Sequence, residues 1–124
     1  MTEQDKRNLA VARAMCAKGR CQMLIVRDVF QAKYGRGDEL VALFKEIAGH
    51  WEQSQHPISL HGFRILTDAS GPFFTVVTEL EVESFAVWPQ FMAAEFALPQ
   101  FADWFSRMMP LVESGRREFY NVVA

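Results

Sequence analysis

Few side chains in this chain have types and spacings suited to chemistry. It holds three histidines, two cysteines and scattered carboxylates. Strand-like alternation over Leu60–Leu66 sets His61 on one face with Phe63 and Ile65. The same alternation over Met23–Phe30 groups Asp28 with Leu24, Val26 and Phe30. A carboxylate beside an imidazole orients it and raises its basicity, which would make His61 a general base near neutral pH and Asp28 its partner. The other reading of His61 is a histidine at a strand edge, satisfied by a backbone group. His50 falls late in a helical pattern and His56 precedes Pro57, positions that suit solvent or a helix end. Arg116, Arg117 and Glu118 either bind an anion or solvate the start of a strand. Cys16 and Cys21 cannot complete a metal shell without other ligands and read as reduced thiols.

A second group suits binding rather than bond-making. Trp51, Trp88, Phe91, Met92, Trp104 and Met108 are large, apolar and partly polarisable, as a pocket for a flat apolar ligand requires. Their helical spacing serves plain core packing equally well. Tyr120 offers a hydroxyl to such a pocket or packs without using it. No spaced metal-ligand cluster appears, and Gly35-Arg36-Gly37 is too short to cradle a phosphate. A haem would need an axial ligand, for which His61 is the sole candidate. Neither a metal nor another cofactor is expected.

The elements that must position these residues follow from hydrophobic period. Met23–Phe30 is a predicted strand, apolar on both faces and therefore central. Leu40, Leu43, Phe44, Ile47 and Trp51 make one face of a helix that starts at Gly37 or Asp38 and fades by Gln55, ahead of Pro57. Leu60–Leu66 and Phe73–Val82 are predicted strands, with tight-turn residue types from Asp68 to Pro72 between them. A second helical region is capped by Ser84 and carries Phe85, Trp88, Met92 and Phe96. It restarts at Pro99 with Phe101, Trp104, Phe105, Met108 and Val112, and bends or ends at Pro110. Gly115 stops it, and Arg116–Val123 is a last strand. The order β-α-β-β-broken α-β is an α+β, ferredoxin-like βαββαβ arrangement, an antiparallel sheet with both helical regions on one face.

One face of that sheet is then left uncovered. It carries Ile25, Val29, Leu66, Phe73 and Val77, a patch too apolar to remain wet. A homodimer through the sheet face is expected, with Arg27, Arg64 and Glu79 as ion pairs or rim contacts. Burial at about 25 cal/mol per Å² makes that pairing worth several kcal/mol. Composition agrees: 124 residues fit one domain, half of them hydrophobic, with eleven Phe and three Trp. Residues 1–21 carry a net +3 and the rest −5, without a basic stripe interleaved with aromatics, so nucleic acid is not the expected partner. No apolar run is long enough to span a membrane and no signal-type stretch opens the chain, so the expected location is the cytoplasm. Residues 1–21 read as an N-terminal extension, partly helical or mobile, ahead of a domain over 22–124.

With these residues in place the chain resembles the dimeric α/β-barrel superfamily over residues 22–124. The likeness rests on Met23-Leu-Ile-Val-Arg-Asp-Val-Phe30, on Lys33-Tyr-Gly-Arg-Gly-Asp-Glu-Leu40, and on the closing Gly115-Arg-Arg-Glu-Phe-Tyr120. The last is similar to members related to the NIPSNAP and antibiotic-biosynthesis-monooxygenase groups. The resemblance implies a dimeric barrel with a pocket between sheet and helices. It is compatible with a binder of a small apolar or aromatic molecule, with a cofactor-independent monooxygenase or isomerase, or with a non-catalytic partner-binding dimer.

Overall fold

A computed structural model of the chain describes residues 3, 4, 7, 23–53 and 62–123. Strand β1 (Leu24–Ala32) leads into helix α1 (Gly37–Gln53). Strands β2 (Gly62–Thr67) and β3 (Thr75–Val82) follow, then helices α2 (Val87–Phe96) and α3 (Pro99–Met108), a 3-10 turn over Met109–Leu111, and strand β4 (Val112–Asn121). The sheet order is β2-β3-β1-β4 and every neighbouring pair is antiparallel. This is the ferredoxin-like arrangement, with β1 and β3, the two strands that precede helical regions, at the centre. Among the described residues no helix is long and apolar enough to cross a membrane. The expected extension over 1–21, apart from the helical residues 3, 4 and 7, lies outside the described residues, as do Cys16, Cys21, His56 and His61.

The helices cover one sheet face. Leu24, Val26, Leu80 and Val82 pack beneath Val87, Trp88 and Phe91 of α2 and its first turn. Ala32 and Val76 pack beneath Leu40, Phe44 and Ile47 of α1 and Phe101, Trp104 and Met108 of α3. Trp51 and Phe63 touch both groups and join them.

Local details depart from the sequence expectation for identifiable reasons. The predicted β3 began at Phe73, but Phe74 has φ +62°, which a strand cannot hold, so Phe73 and Phe74 belong to the turn. The Phe74 carbonyl accepts from Ala32 N at 3.0 Å, and Tyr34 stands edge-on to its ring at 4.9 Å. Gly37 lies directly under that ring; a Cβ there would stand 3.1 Å from Phe74 Cδ1. Ser84 does not cap α2: its hydroxyl makes no hydrogen bond, and only its carbonyl accepts, from Val87 N at 3.2 Å. Pro89 is tolerated because it occupies the first turn, where N–H groups have no partner within the helix. Pro99 starts α3 as expected, and the helical region is therefore two helices meeting at Ala97 and Leu98.

The clearest correction concerns Gly115. It does not stop a helix; Pro110 lies in the 3-10 turn that already does so, and β4 begins at Val112. Gly115 sits within the strand opposite Phe30, where a Cβ would lie 3.0 Å from Phe30 Cδ1. The absent side chain lets the Phe30 ring lie across β4.

Candidate small-molecule site

A cavity of about 260 Å³ lies between the sheet and the three helices. Its floor is strand residues that alternation turns toward the helices: Val26, Asp28 and Phe30 of β1, Thr78 and Leu80 of β3, and Phe63 of β2. Its roof comes from all three helices. Six residues singled out in the sequence, Trp51, Trp88, Phe91, Met92, Trp104 and Met108, all line it. The chain has three tryptophans, and each one faces this space.

The walls are tied together by ring contacts and by the polar edges of the indoles. Trp51 is edge-on to Phe63 at 5.2 Å and to Phe91 at 5.6 Å. Trp88 stacks on Phe91 at 5.5 Å, and Trp104 on Phe101 at 5.7 Å. Trp51 Nε1 donates to Glu95 Oε2 at 3.0 Å and Trp104 Nε1 donates to the Leu43 carbonyl at 2.7 Å, so both rings face the cavity with their N–H groups satisfied behind it. Glu95 was missed in the sequence. The signal was present, because Glu95 continues the Trp88–Phe91 spacing of a buried helical face, where a carboxylate needs a partner.

Polar character enters the cavity at one end. Arg117 of β4 donates from Nε and Nη2 to the two oxygens of Asp28, at 2.7 and 3.1 Å. The same guanidinium lies over the Trp88 ring at 4.8 Å. Asp28 therefore faces inward as its alternation indicated, but its partner is an arginine. The sheet row through Asp28 runs from Arg117 to Thr78 and on to Ile65, so the β2 residue in line with Asp28 is not a histidine. Whether His61 reaches the cavity lies outside the described residues.

Tyr120 does not join the site. It pairs with Ile25, which points to the opposite sheet face, and Arg27 lies over its ring at 5.3 Å. On that face a charged row crosses the sheet: Glu79 accepts from Arg27 Nε at 2.7 Å and from Arg64 Nε at 2.6 Å. Burial alone would push the Glu79 carboxyl up; the hydrogen bonds from Arg64 and Arg27 outweigh it and hold the carboxyl below the ordinary carboxylate range.

No family model matches the chain, and no curated protein matches it in sequence. Solved structures do match it. A NIPSNAP-domain protein from Burkholderia xenovorans superposes with a TM-score of 0.65 at 19% identity, over 82% of this chain and 94% of that one. A NIPSNAP-family protein from Agrobacterium tumefaciens gives 0.68 at 19% identity, over 83% and 88%. The chain has their fold. A candidate antibiotic biosynthesis monooxygenase from Chloroflexus aurantiacus shares it as well, at 0.62 and 19% identity over 82% and 94%. At these identities the likeness concerns architecture, and the chemistry of the site rests on the residues described above.

Proposed function

We propose that the protein binds a compact apolar or aromatic molecule in the cavity between its sheet and helices. The observation that carries this reading is the cavity itself, about 260 Å³ of space walled by every tryptophan in the chain. Closely packed interiors do not normally retain such a space. It lies just below the range of roughly 300–1,000 Å³ seen for ligand sites, which favours one or two rings over a long chain. Toluene, titrated while tryptophan emission is followed, should give a saturable change and raise the melting temperature as a native-state ligand does. Unchanged emission and an unchanged melting temperature at the solubility limit of toluene would refute the reading.

We also propose that two copies pair through the open sheet faces. Ile25, Val29 and Val77 are only partly covered and Leu66 is 38% exposed; Phe73, 70% exposed, stands in the adjoining turn between β2 and β3. The Arg27–Glu79–Arg64 row would align the two faces, and the adjoining row of Val29, Val77 and Leu66, with Ile25 on the far side, would supply the burial. Sedimentation equilibrium should return twice the chain mass, and Val77→Glu should return the single-chain mass. A wild-type monomer at micromolar concentration would exclude this assembly.

A further inference from the structure

Resting on the small-molecule reading, we infer that the ligand is a compact apolar carboxylic acid whose carboxylate is held by Arg117. A guanidinium has five N–H donors. Arg117 commits two of them to Asp28, and its Nη1 edge has no partner among the described residues. The planar group is fixed from two sides, by the Asp28 carboxylate and by the Trp88 ring beneath it at 4.8 Å. Its free edge is thereby held in place, which favours two parallel hydrogen bonds to a carboxylate.

Placement points the same way. Asp28 and Arg117 line both the inner cavity and an outer groove of about 400 Å³, so they stand where the two spaces meet. The pair is only partly shielded, with 17% of the Asp28 side chain and 39% of the Arg117 side chain exposed. A ligand head group can reach it from the groove while an apolar body occupies the interior. The groove is also lined by Arg116, which is itself paired with Glu118 at 3.8 Å, so Arg117 is the cation that a head group meets beside Asp28. Each Asp28 oxygen already accepts from Arg117, which offsets the carboxylate charge that would draw a cationic ligand, whereas an anionic ligand finds a free donor edge.

The test uses the full chain and matched probes, with tryptophan emission as the readout: phenylacetate, phenylacetamide, phenethylamine and toluene. Phenylacetate should bind at least tenfold more tightly than its amide. Arg117→Gln should abolish that preference while leaving toluene affinity unchanged. Asp28→Asn removes the competing negative charge and should strengthen phenylacetate binding severalfold, an effect opposite in sign to damage from misfolding. Should Arg117→Gln fold poorly, the double variant Asp28→Asn/Arg117→Gln restores a neutral pair of similar size and should likewise show no acid preference. Equal affinity for acid and amide, tighter amine binding, or an acid preference that survives loss of Arg117 would overturn the inference while leaving the cavity reading intact, provided toluene binds. If none of the four probes binds, both fail.

Discussion

Glu79, 5% exposed and flanked by two guanidiniums, has a proton affinity set by its neighbours. Its folded-state pKa lies below the ordinary value of 4.5, so below that pH the unfolded chain takes up the proton first. The carboxylate therefore stabilises the fold above about pH 4.5, and that contribution is lost as pH falls toward the depressed folded-state value. Glu79→Gln should remove this part of the acid sensitivity in urea-unfolding curves measured across that window. It should also cost about 1–3 kcal/mol near neutrality, because Arg27 and Arg64 are left without the charge they share. An unaltered pH profile would mean that the triad contributes nothing. Asp28 was legible at this scale, since alternation alone turns it inward. Arg117 was not, because Arg116–Val123 carries charged and aromatic residues on both alternating faces, so its pattern does not say which face turns inward. Of the two readings of Tyr120, the structure has packing outside the cavity.

Hydrophobic period and strand alternation located each regular element, because the faces that pack between sheet and helices are the most apolar ones. Their ends were less legible wherever the backbone answers to a distant contact. Phe74 adopts a left-handed conformation to suit Ala32, Tyr34 and Gly37, and no local pattern near residue 74 records that. Gly115 is equally ambiguous in sequence: a glycine after a helical stripe reads as a terminator, yet here it makes room for Phe30. Gly115→Val should force Phe30 off its site and loosen the Phe30–Phe44 contact at 5.2 Å. The expected loss is about 1–3 kcal/mol, as for overpacking in general, and would appear as a lower melting temperature. A variant as stable as the parent would show that Phe30 can move freely and that the glycine is incidental.

In the whole molecule the two faces of the sheet differ in what covers them. The helices and the face they cover leave a space that their side chains do not fill, and the other face presents the row of Val29, Val77 and Leu66 beside a charged line. The sequence indicated both faces through alternation, along with the residues that would wall a cavity. It did not reveal that the cavity exists, since an unfilled volume depends on how three helices seat against a twisted sheet. Nor did it reveal the polar end of that cavity, which is formed by side chains 89 positions apart in sequence. The central claim, that the enclosed space is a ligand site, is tested most directly by the crystal structure of the protein saturated with toluene. The expected result is ligand density among Trp51, Trp88 and Trp104, above Val26 and Leu80. Density confined to the open sheet face, with the interior closed around collapsed side chains, would contradict it.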